Sequence, residues 1–148
     1  MKKATRDSIG RRLLLVAVAL FLSACNGNGV QTIPVRGRVT HGGGAWPVEG
    51  TLYFIPIQTA GTTMRPGMAK FTKEGEFAAR TFTDGDGLIP GKYAIKVECW
   101  EHPPSMDPNA PDAKSYVSAA IQAGTAEGWQ VEVGGDQKVV ELTLDVPK

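Results

Sequence analysis

The chain has 148 residues, 16 of them basic and 15 acidic, for a formal net charge of +1, and it holds two cysteines. The length suits one domain plus a tether. Two cysteines exclude a disulfide scaffold, and scattered arginines (Arg36, Arg38, Arg65) without a basic run or interleaved aromatics give no footprint for nucleic acid.

The N-terminus opens with Lys2, Lys3, Arg11 and Arg12, followed by an unbroken apolar run from Leu13 to Leu22. A spanning helix needs roughly 20 apolar residues. A run half that long, behind a positive region and ahead of small residues, reads as a cleaved export leader covering residues 1–24. Leu22-Ser23-Ala24-Cys25 at its end resembles the lipobox of bacterial lipoproteins. The resemblance implies that Cys25 takes a diacylglycerol on its sulfur and becomes the acylated N-terminus, so a membrane is the expected partner. Asn26 in place of aspartate implies the outer membrane in a host that has one. Removing the leader leaves 124 residues with 11 basic and 14 acidic groups, a net charge of −3. Cys99 is then the one remaining thiol, and stability has to come from a packed core.

Residues 26–34 are small, polar and Gly-rich at first, and 25–34 read as the lipidated end and a flexible tether. From Val35 to Lys148 the chain reads as one β domain. Val35, Gly37 and Val39 alternate with Arg36, Arg38 and Thr40, a half-buried strand that ends at His41-Gly42-Gly43-Gly44. Thr51 to Ile57 is a second strand with Leu52 and Phe54 inward and Pro56 near its end. Met68–Thr72 and Glu76–Phe82 flank Lys73-Glu74-Gly75, a hairpin whose glycine supplies positive φ. Asp84 to Gly91 is a corner of turn formers. It delivers the cleanest alternation in the chain, Lys92 to Cys99, with Tyr93, Ile95, Val97 and Cys99 on one face. Four prolines make 101–113 irregular. A short helix is expected over Lys114–Ala123, with Asp112 as its cap. Trp129, Val131 and Val133 alternate, and Lys138–Val146 is the last strand. About seven short strands with little helix predict an all-β fold, a single antiparallel β-sandwich.

Three motifs occur in one order: Val35-x-Gly37-x-Val39-Thr40 with Thr51-Leu52-Tyr53-Phe54-Ile55-Pro56, then Thr72-Lys73-Glu74-Gly75-Glu76-Phe77, then Pro90-Gly91-Lys92-Tyr93-x-Ile95-x-Val97. Together they resemble carboxypeptidase regulatory-like domains and the transthyretin-like (prealbumin-like) sandwiches of small secreted lipoproteins. Lys73 stands where that hairpin often has aspartate, and 100–128 match nothing in the pattern. The resemblance implies a non-catalytic module.

Candidate chemistry is sparse. His41 and His102 are the only histidines, and Cys99 beside His102 lacks the further ligands a zinc site needs. Asp84-Gly85-Asp86-Gly87 has the look of a calcium loop, but the twelfth position from Asp84 is Ile95. A looser calcium site at Asp84 and Asp86 stands against an ordinary Asp/Gly turn. No Gly-x-Ser-x-Gly elbow is present, and no cofactor is expected. Trp46, in a glycine-rich loop before Pro47, and Trp100, at a strand end, are the candidate ligand contacts. Trp129 reads as sheet packing. Two functions follow as expectations. One is a membrane-anchored module for protein interaction or envelope assembly. The alternative is a carbohydrate- or small-ligand-binding module using the exposed aromatics.

Overall fold

A computed structural model describes residues 30–57 and 64–148. The lipobox residues Leu22, Ser23 and Ala24, and Cys25 with them, lie outside the described residues. Residues Gln31–Lys148 form one compact unit. Its elements are β1 (Val35–His41), β2 (Gly50–Pro56), β3 (Gly67–Phe71), β4 (Glu76–Ala78), β5 (Gly91–Glu98), β6 (Trp100–His102), β7 (Lys114–Ser115), α1 (Ala119–Ala123), β8 (Gln130–Val133) and β9 (Val140–Val146).

Seven strands make one sheet in the order β8-β5-β2-β3-β4-β1-β9, and β6 pairs with β7 separately. The sheet is mixed and nearly barrel-like. The all-β expectation therefore holds, while the purely antiparallel one needs correction. β9 runs parallel to β1, from Val35 opposite Val140 to His41 opposite Val146. Inward-outward alternation is the same whichever way a neighbour runs, so the direction leaves no mark on the residue pattern.

Alternation places the core. Tyr93, Ile95 and Val97 of β5 point inward, as do Leu52 and Phe54 of β2 and Val35 and Val39 of β1, and all are buried. Each such large side chain contributes about 1.5–3 kcal/mol by leaving water. The Tyr93 hydroxyl is buried with them and donates to the Ile89 carbonyl at 2.7 Å. Burial pushes its pKa up to about 12, so it stays a neutral donor. Phe71 and Phe77 face each other across β3 and β4. The hairpin between them turns on Gly75 at φ 87°, where a Cβ would also overlap the Val39 carbonyl.

Some boundaries differ from the sequence reading. β4 stops at Ala78, because Ala79 and Arg80 leave β4 to bond Val35 and Met68. Phe82 therefore sits on a loop. The expected helix begins later, at Ala119, with Ser118 and not Asp112 at its N-cap position, since Lys114 and Ser115 are drawn into pairing with β6. The folded unit also begins inside the segment read as tether. Ile33 is buried and exchanges two backbone bonds with Leu88, at 2.8 and 3.0 Å.

β1 and β9 approach closely at Gly37, where a Cβ would overlap the Leu142 carbonyl oxygen. Backbone cannot yield as a flexible side chain can. Gly37→Ala is expected to destabilise the fold by about 2–3 kcal/mol, the scale of an overpacked core, read as a lowered urea midpoint. An unchanged midpoint would show that the two strands part without cost.

Candidate functional site

The sequence-predicted residues do not converge on one place. Trp46 is an interior residue, 3 % exposed, which corrects the expectation of a surface ligand contact. The Gly42–Gly44 turn folds back on itself, with His41 and Gly44 exchanging backbone bonds at 3.0 and 3.2 Å. That reversal lays the indole over the core. Its Nε1 donates to the Val39 carbonyl at 2.8 Å, and its ring stacks on His41 at 4.9 Å and tilts against Phe71 at 4.8 Å. Tyr116 also meets His41, edge-on at 6.1 Å. Trp46 is part of the core, and an indole so held is not free to stack on a ligand. Trp100 is half-buried in β6, opposite Ser115.

Asp84 and Asp86 belong to a turn. One Asp86 oxygen accepts from the Thr81 N–H at 2.8 Å; the other accepts from Phe82 and Thr83, both at 3.0 Å. Asp84 pairs with Arg80. Burial works against charge on Asp86, but the N–H groups of Thr81, Thr83 and Phe82, with the Thr83 side chain, outweigh it and lower its pKa. Both carboxylates are thus occupied by the loop itself. Among the described residues, no three His, Cys, Asp or Glu side chains gather where a metal ion would sit.

Cys99 is inward as expected, 1 % exposed, with its sulfur 3.7 Å from the Val48 carbonyl. Burial disfavours the thiolate and pushes the pKa up to about 11. His102 is half-buried on β6.

The concave surface that sequence reasoning missed lies on the outer face of β2 and β3. A groove of about 400 Å³ is lined by Tyr53, Pro66, Met68, Arg80, Thr81 and Phe82. Burial, then the nearby Glu98 carboxylate and its hydrogen bond, raise the Tyr53 hydroxyl above its ordinary pKa. Arg80 is held between Asp84 and the Met68 sulfur, 3.5 Å away. The Arg65 guanidinium lies over the Phe82 ring, 5.4 Å from its centre. These groups supply aromatic surface and positive charge, and the groove's lining includes no histidine, cysteine or carboxylate. Tyr53 is legible as an outward residue from the alternation of β2. Phe82 is not, because its exposure depends on β4 ending four residues earlier. A second, more open depression of about 410 Å³ crosses β4, β1 and β9. It is bordered by the cross-strand pairs Arg36–Glu141 at 2.8 Å and Arg38–Glu76 at 3.1 Å.

Comparison of the chain with protein-family models, with curated proteins and with solved structures gives no match.

Two expectations follow from the titrating groups. Asp86 has a depressed pKa in the folded chain, so the stability it lends is complete above about 3.8 and drains away as pH falls through the lower native value. Asp86→Asn, which keeps one acceptor oxygen but cannot titrate, should flatten the acid limb of the stability-against-pH curve; an identical limb would refute this role. Cys99 should resist alkylation at pH 8 in native protein and react fully after denaturation. Fast native labelling would mean that the face assignment of β5 is reversed, since a slip of one residue exchanges the two faces.

Proposed function

We propose that the chain is an exported lipoprotein, anchored by acyl chains on Cys25 and carrying a non-catalytic β-sandwich of the transthyretin-like type for interaction or assembly at the cell envelope. The observation that carries this reading is the sequence Leu22-Ser23-Ala24-Cys25, placed directly behind a basic region and a ten-residue apolar run. The physics of the anchor is simple. Each buried acyl methylene contributes about 0.8 kcal/mol, so two or more chains hold a domain stably where one chain would exchange. Asn26 favours release to an outer membrane where the host has one.

Support for the finer fold type is the order of its motifs along the chain: β1 with its glycine, the Gly75 hairpin, and the Pro90-Gly91 entry into β5. Support for a contact role comes from the groove, whose lining suits recognition better than bond-making. The ligand-binding alternative drawn from Trp46 and Trp100 is not carried forward, because its leading residue is inside the core.

Intact-mass spectrometry of protein taken from the membrane fraction tests the reading. The expected species lacks residues 1–24 and carries acyl mass on Cys25. Cys25→Ser is expected to abolish that mass and to leave the precursor uncut. An unmodified Cys25 thiol, or an uncut native precursor, would overturn it.

A further inference from the structure

The strands define two ends of the folded unit. β1, β3, β5 and β9 begin at one end, and β2, β4 and β8 finish there. The chain enters at this same end, through Ile33 bonded to Leu88. The solvent-exposed large apolar side chains of the unit are distributed unevenly between the ends. Ile57 (37 % exposed), Phe82 (47 %) and Val139 (39 %) all lie at the entry end, and Ile55 (40 %) is two residues from it. Of the other two such residues among those described, Val30 precedes the unit, and Met106 belongs to the excursion that leaves β6, which follows the far end of β5.

Charge at the entry end balances in number, Arg36, Arg65, Arg80, Lys92 and Lys138 against Asp84, Asp86, Glu132, Asp136 and Glu141, but differs in which groups are free to reach outward. Its acids are engaged: Asp84 with Arg80, Glu132 with Lys92, Glu141 with Arg36, and Asp86 with three backbone N–H groups. Asp136 is the exception. Arg65 and Lys138 have no ion pair among the described residues. Arg65 covers the Phe82 ring, an amphipathic pair with an apolar body and a cationic tip.

We infer that this end of the domain rests against an anionic lipid surface, with Phe82, Ile57 and Val139 at the headgroup boundary and Arg65 and Lys138 meeting lipid phosphates. The inference rests on the anchoring reading, which fixes where the membrane is. Ile33 is eight residue steps along the chain from Cys25. Fully extended, eight steps span at most about 29 Å, and as a coil about 15 Å. A tether that short keeps the entry end near the bilayer. There, exposed apolar side chains gain by partial burial, and cations gain from anionic headgroups.

The test uses the full-length acylated protein in phosphatidylethanolamine/phosphatidylglycerol vesicles. Phe82→Cys, or Met106→Cys as the control, carries an environment-sensitive dye; native Cys99 is buried and stays unlabelled. The label at 82 is expected to shift to the blue and to lose at least half its emission to brominated acyl chains, and the label at 106 to do neither. In phosphatidylcholine vesicles the shift at 82 is expected to be smaller. Water-like emission at 82, or equal behaviour at 82 and 106, overturns the inference when the same sample floats with vesicles and shows acyl mass on Cys25. Equal shifts in the two lipids overturn the part assigned to Arg65 and Lys138. A sample that neither floats nor carries acyl mass removes the anchoring reading itself, and this inference with it.

Discussion

β9 can pair with β1 because nothing projects from residue 37. β1 lies between β4 and β9, and the Leu142 carbonyl occupies the space a side chain at Gly37 would need. That approach lets β9 lie parallel along all seven residues of β1. It also brings Val146 fully into the core and packs Val140, Leu142 and Leu144 against it. Without that contact β1 would be an edge strand, and Val35 and Val39 would lose part of their cover. The outer ion pairs Arg36–Glu141 and Arg38–Glu76 follow the same registers, but side chains more than half exposed add little to stability. Packing holds β1 to its neighbours, and the charged pairs lie on the outside.

Where one residue's neighbours in sequence decided its fate, the fold was legible in the sequence. Tyr93, Ile95, Val97 and Cys99 alternate so regularly that their face is unambiguous, and all four are buried. Gly75 was legible for a similar reason, since a three-residue hairpin needs one residue at positive φ. The parallel partner of β1 was not, because its identity lies in residues about a hundred positions away. The β6–β7 pair was hidden as well. Lys114 and Ser115 have no strand character of their own and are strands only because Trp100 and His102 lie opposite.

The same distinction separates the site residues. Asp86 could be read as a turn carboxylate because its three N–H partners lie three to five residues before it. Trp46 misled although two of its partners, His41 and the Val39 carbonyl, are near in sequence. Glycines before it and proline after it describe a loop correctly, yet loop residues can fold inward, and the groups that receive this indole are His41, Phe71 and the Val39 carbonyl. The groove between Tyr53 and Phe82 joins a strand and a loop 29 positions apart, and no local pattern announces such a meeting.

The pairing of β1 with both a near and a distant strand bears on how the molecule comes to be folded. β4 reaches β1 from about 40 positions along the chain (Arg36 to Ala78), but the other flank of β1 stays open until residues 140–146 are delivered, some 105 positions along (Arg36 to Glu141). Loop-closure entropy makes such a late contact slow. During synthesis from the N-terminus, β1 is therefore made long before its second flank can be sealed. For as long as β9 is missing, β1 presents an open edge to which another chain could pair.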